Sequence, residues 1–188
     1  MRKIKDRHTL GVVAGIIGTI PKILIDEISL RKNISKRSYR HTAAGVWVNS
    51  QKEAMSWKGS FLGTIMDTGL SVMGAIVKLN YLSKYGRDNI ILKGALFGTS
   101  FGAIITAILS GLSYNKVKPK DAASNLSYVF ANCIYGITTA LALAKLGDDS
   151  LFDSKPLNDY LKPTKSTTDE ALTGKPQNSP VPKEVYLH

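Results

Sequence analysis

Asp67 is the residue in this chain best placed to do chemistry. It is the only charge in residues 59–77, GSFLGTIMDTGLSVMGAIV, a stretch of membrane-spanning length. A carboxylate at mid-bilayer is expensive, so it must be either protonated or paired with a cation. In either state it can hold or relay a proton, or bind a cation. The cation placed to meet it is Lys22, the single charge of residues 9–25. Lys22 also lies one helical turn before Asp26. The two could therefore neutralise each other near a helix end, with Lys22 snorkelling to the interface. Ser60, Thr64, Asp67, Ser71 and Lys78 follow steps of three, four and seven residues, which put them on one face of a helix. A polar stripe of this kind has to face a bundle interior or a wet cavity.

A second polar face is marked by Asn125, Asn132 and Thr139, with Tyr128 and Tyr135 at the same seven-residue spacing. These side chains can hydrogen-bond across helices or line a path with Asp67; structural glue is the expected role. Small residues recur at four-residue spacing: Gly11 and Gly15, Gly59 and Gly63, Gly94, Gly98 and Gly102, then Gly136, Ala140 and Ala144. In lipid such faces let backbones approach closely. All four spans carry one, so packing within one bundle is expected ahead of self-association into a homo-oligomer. No metal or cofactor is expected. His8, His41 and His188 form no ligand pattern, and Cys133 is a lone cysteine within a span. No phosphate-binding loop, zinc spacing or nucleophile elbow occurs, so an enzyme is not expected.

These residues need elements to hold them, and four apolar stretches supply those elements. The reading is all-α: a membrane-embedded four-helix bundle over residues 1–146, with helices at about 8–30, 56–82, 90–114 and 122–146. Pro21 should kink the first helix. Asp88 or Asn89 can cap the third and Asp121 the fourth. Trp57 and Tyr81 bracket the second span, and Tyr114 and Tyr128 flank the loop before the fourth, at positions suited to interfacial rings. Residues 43–48 are apolar but too short to span, which suggests an interfacial or shallow re-entrant piece. Residues 147–188 hold five of the seven prolines and lack apolar periodicity, so a mostly disordered tail is expected, with room for a short helix near 151–161. The N-terminus has a basic start and an apolar run but no A-x-A-like site, as in an uncleaved first helix.

The 188 residues carry a formal charge of +11 and a mean hydropathy of −0.03, an average of greasy spans and a polar tail. The cations sit beside the spans: Arg2, Lys3, Lys5 and Arg7 before the first, Arg31, Lys32, Lys36, Arg37 and Arg40 after it. That placement fits membrane lipids with anionic head groups, not nucleic acid. Lys and Arg are nearly balanced across the bilayer once the distant tail is set aside. The basic start favours a cell-membrane protein with both termini in the cytoplasm, against which the cluster after the first span pulls.

Gly11-x-x-x-Gly15 followed by Lys22 and Asp26, Asn89-x-x-x-Lys93-Gly94-x-x-x-Gly98, Ser124-Asn125-Leu126 and Tyr135-Gly136 together resemble small uncharacterised four-span integral membrane proteins of Gram-positive bacteria. The resemblance covers residues 8–146. It implies a bacterial four-span topology and no mechanism, and Asp67 has no matching role in it. Two functions remain in competition: a structural or interaction protein of the membrane, and a proton- or cation-coupled transporter or channel subunit using Asp67. The surroundings of Asp67 discriminate between them, because a wet cavity favours transport and a dry, fully bonded carboxylate favours architecture.

Overall fold

The computed structural model describes residues 3–118, 121–153 and 160–161. Among these residues the fold is all-α. Four long helices, α1 (Arg7–Arg31), α4 (Trp57–Tyr85), α5 (Ile90–Gly111) and α6 (Ala122–Leu146), are joined by two short ones, α2 (Tyr39–Ala44) and α3 (Gln51–Ala54). At 1.5 Å per residue the long helices measure about 33–44 Å, enough to cross a hydrocarbon core. Each has the apolar composition a crossing requires.

Local chemistry sets most helix starts. Asp6 accepts from the Thr9 backbone N–H at 2.5 Å, Ser56 from Gly59 at 3.2 Å and Asp121 from Ser124 at 2.9 Å. These bonds satisfy donors that a helix start leaves open. α5 departs from this pattern. Asn89 has a left-handed backbone (φ 49°) and makes no side-chain cap, while Asp88 accepts from Lys93 Nζ at 2.9 Å. The expected Asp88 or Asn89 cap is therefore replaced by an ion pair one turn into the helix. α1 runs through Pro21 as one helix. α5 stops at Gly111 rather than at 114, because Asn115 turns back to donate to the Leu109 carbonyl at 2.8 Å and the Thr42 carbonyl at 3.2 Å.

The helices alternate in direction. At one end Ile4 pairs with Gly147 in a lone parallel bridge, and Ile90 N–H donates to the Tyr160 carbonyl at 2.9 Å. At the other, Lys116 N–H donates to the Gly45 carbonyl at 2.9 Å. Both ends of the bundle's chain thus lie on one side. α1 packs between α4 and α6, and α5 lies against α6.

Two corrections follow, one of a boundary and one of a side chain. The folded unit passes the expected limit at 146: a 3-10 turn at Asp149–Leu151 docks, burying Leu151 and Phe152 against Leu10, Leu79 and Leu143. Ser83 Oγ donates to the Leu151 carbonyl at 3.1 Å, and Phe152 lies 4.1 Å under the Arg87 guanidinium. Two apolar residues at this register suffice to hold the segment. The remaining tail expectations, over 154–159 and 162–188, fall outside the described residues. Tyr128 is the second correction. It is no interfacial ring but a buried one, donating to the Arg37 carbonyl at 2.7 Å and meeting Tyr39 edge-on at 5.3 Å.

The exposed faces are apolar in a regular way. Val12, Ile16, Ile20, Leu24 and Ile28 on α1 repeat every four residues, as do Trp57, Phe61, Ile65, Met73, Val77, Tyr81 and Tyr85 on α4 with one gap. Lys22, Asp26, Asp67, Lys78 and Asn132 are buried. Polar inside and apolar outside is the arrangement a lipid solvent selects.

The candidate polar centre of the bundle

Three sequence-distant segments converge on Asp67. Lys22, on α1, donates from Nζ to Asp67 Oδ1. Both side chains are at most 5% exposed. Lys22 does not snorkel, and it does not pair with Asp26. Instead it lies 4.3 Å from the Tyr39 ring centroid and 5.7 Å from that of Tyr135. Cation–π contact offsets part of the cost of taking the ammonium out of water. The space bounded by Lys22, Asp26, Tyr39, Asp67, Tyr128 and Asn132 has no room for a water molecule. The pair is dry.

Asp26 serves a different partner set one turn further on. Its carboxylate accepts from the Tyr39 backbone N–H at 3.0 Å and from the Ser38 hydroxyl, and Arg40 Nε lies 3.9 Å away. Ser38 is the N-cap of α2. Asp26 thereby pins the start of α2, and Tyr39, the next residue, reaches down onto Lys22. All of α2 except Arg40 is buried, so residues 41–45 lie within the bundle and not on its surface.

Close backbone approach makes this insertion feasible. A Cβ on Gly63 would stand 2.0 Å from the Arg40 carbonyl oxygen, and one on Gly59 2.4 Å from the Ala54 carbonyl oxygen. These two glycines meet the connection that carries α2 and α3 rather than another span. Gly94, Gly98 and Gly102 meet α6 at Gly136 and Asn132, while Gly11 and Gly15 meet α4 at Ile76 and Val72. The small faces are consumed inside one chain.

Asn132 is buried and donates to the Tyr128 carbonyl at 2.8 Å, Thr139 to Tyr135 at 2.7 Å, and Asn125 to Asp121 at 3.2 Å. Each of these bonds stays on α6. Within this expected polar face the cross-helix bond is made by Tyr135, whose hydroxyl donates to the Ser71 carbonyl on α4 at 2.6 Å. Of the α4 stripe, Ser60 contacts His41 Nε2 at 3.1 Å, and Thr64 bonds back to the Ser60 carbonyl at 2.8 Å. Lys78 is buried, donates to the Gly136 carbonyl at 2.8 Å and lies 4.8 Å and 4.9 Å from the Phe97 and Tyr135 rings. Sequence reasoning missed Tyr39, Ser38 and Arg40 as parts of this centre. No periodicity marks a six-residue helix, so the only available signal was the short apolar run that follows them.

His41 completes the capping box of α2. Its Nδ1 accepts from the Ser38 backbone N–H at 3.4 Å, which leaves Nε2–H to donate to Ser60. Burial, helped by the Arg40 charge, lowers its pKa below the ordinary value. The folded protein therefore binds this proton more weakly than the unfolded chain does. The stability it contributes is full above about pH 6.5 and is lost as pH falls through that value toward the folded one. Unfolding in detergent should accordingly become easier between pH 7.5 and 5.5, and His41→Asn should flatten that slope. A slope unchanged in the variant would assign the titration to another group.

Among the described residues no three His, Cys, Asp or Glu side chains gather as a metal site. The class these features define is a multi-pass membrane protein with a charged, water-free centre. No family model, curated protein or solved structure matches the chain.

Proposed function

We propose that this is a structural or interaction protein of the membrane, in which the Lys22–Asp67 pair is an internal latch holding the re-entrant segment in the bundle. The observation that carries this reading is the closed space around the pair, which leaves no room for water or an ion beside it. A carboxylate that hands protons or cations across a membrane needs an aqueous approach; this one faces an ammonium and aromatic walls. The glycine faces are occupied within the chain, so partners meet the basic loop end and the lipid-facing surface instead. In this reading the protein is not an enzyme and needs no nucleic acid. It is a bacterial cell-membrane protein of the four-span kind with both termini in the cytoplasm. A reporter fused after His188 and active only in the cytoplasm would show that orientation.

A proton- or cation-coupled transporter subunit is the second reading, and one observation favours it. A cleft of about 360 Å³ between α5 and α6, lined by Thr106, Ser110, Asn125, Tyr128 and Asn132, reaches two side chains that also bound the closed space at Lys22 and Asp67. Proteoliposomes separate the two. Vesicles holding the wild type or Asp67→Asn should pass protons and monovalent cations no faster than empty vesicles, while Asp67→Asn lowers thermal stability. A wild-type flux abolished by Asp67→Asn would establish transport and overturn the structural reading.

A further inference from the structure

The last turns of α1 and the first turns of α6 leave a groove of about 630 Å³ between them, walled by Ile25, Ile28, Ile34, Leu126 and Phe130. Ile28, Ile34, Leu126 and Phe130 are exposed, so in a bilayer the groove opens to lipid. Ser127 also lines it, and the Ser127 hydroxyl is buried with no hydrogen-bond partner. An unsatisfied buried hydroxyl in a lipid-facing wall is costly, and an acceptor oxygen from an occupant would relieve it.

The rim of this groove is cationic. Lys32 and Lys36 flank Ile34, and both are exposed. The Lys36 backbone N–H is fixed to Ser124 Oγ at 3.1 Å, beside the groove residue Ala123. Neighbouring cations are engaged elsewhere: Arg31 with Glu27 at 2.7 Å, and Arg37 with the Lys118 carbonyl. Lys32 and Lys36 make no ion pair among the described residues. Asp121, whose carboxyl feels the Lys36 charge, is held as the α6 cap.

We infer that this groove is a binding site for one anionic phospholipid, an acyl chain lying against Ile25, Ile28, Leu126 and Phe130 and the phosphate at Lys32 and Lys36. The apolar wall and the cationic rim stand in the order in which a phospholipid presents its chain and its head. A second copy of the protein fits less well, because a parallel neighbour would bring its own Lys32 and Lys36 to the same end, like charge against like charge.

Native mass spectrometry of the detergent-solubilised full chain tests this, with phosphatidylglycerol and phosphatidylcholine of identical chains as probes. One phosphatidylglycerol should be retained per chain. Lys32→Ala/Lys36→Ala should weaken its binding about thirty-fold, two juxtamembrane cations being removed, and weaken phosphatidylcholine, whose choline offsets its phosphate, far less. Leu126→Ala/Phe130→Ala should weaken both lipids. The substituted side chains are exposed, and circular dichroism checks that the helices persist. Inorganic phosphate should not displace the lipid. Equal retention of the two lipids, indifference to the lysine substitutions, or displacement by phosphate alone would overturn the assignment. So would a protein dimer that the groove substitutions dissolve.

Discussion

Asp67→Ala should destabilise the bundle by about 3–5 kcal/mol, because it leaves the Lys22 ammonium buried without its anion. Asp67 and Lys22 are both nearly inaccessible, and no water can enter beside them. Lys22→Met should cost a similar amount by stranding the carboxylate. The double variant Lys22→Met/Asp67→Leu is expected to return to within about 1–2 kcal/mol of the wild type, since a well-packed apolar pair of similar volume often matches a buried ion pair. The cycle would be measured by sodium dodecyl sulfate titration in mixed micelles, followed by helical circular dichroism. A coupling energy near zero would mean that the two charges reach other partners, and the latch would not exist. Tyr39 extends the test. It lies over Lys22 while its backbone is held by Asp26, so the single variants should also loosen the buried segment around α2, visible as faster amide exchange at residues 38–45. The double variant should restore protection if packing, rather than charge, seats that segment.

Substitution of Gly98 is the second large effect. A Cβ there would fall 2.2 Å from the Asn132 carbonyl oxygen and 2.7 Å from Gly136 Cα. Both are backbone atoms of α6 and cannot swing aside. Gly98→Ala should therefore cost about 1–3 kcal/mol by forcing α5 and α6 apart, and Gly98→Val more. The protein supplies its own control. At Gly69, within α4, and Gly111, at the end of α5, an added Cβ would meet nothing within 4 Å. Gly69→Ala should be neutral or stabilise by up to about 1 kcal/mol, since alanine favours the helix and meets no neighbour. If Gly98→Ala and Gly69→Ala behaved alike in the same titration, the tight α5–α6 contact would be refuted.

The parts of the polar centre differed in how legible they were. Asp67 stood out because a lone carboxylate in an apolar run has few acceptable environments. Lys22 followed because cations in spans are equally scarce. Asp26 also stood out, but its partners did not. A reader of spacing pairs it with Lys22 at one helical turn, whereas the structure gives it the start of α2. Which carboxylate takes the lysine depends on how α1 turns toward α4, and a one-dimensional pattern does not contain that rotation. Tyr128 illustrates the same point. A tyrosine near a span end reads as an interfacial ring, yet α6 turns it inward to cap the Arg37 carbonyl. The extent of α6 was legible because Asp121 marks its start and the apolar composition stops at Leu146; the end of α5 was not, because Asn115 enforces it through long-range bonds to Thr42 and Leu109.

The chain alone determined that there would be four lipid-embedded helices and that charges within them would be turned inward. Both follow from local quantities, namely the run length of apolar residues and the cost of bare backbone or charge in hydrocarbon. Only the tertiary structure decided that residues 38–45 enter the bundle, that the glycine faces are used up within one chain, and that Asp67 is dry. Those outcomes depend on which surfaces meet between segments far apart in the chain, and they are settled by Å-scale fit between backbones that no local signal encodes.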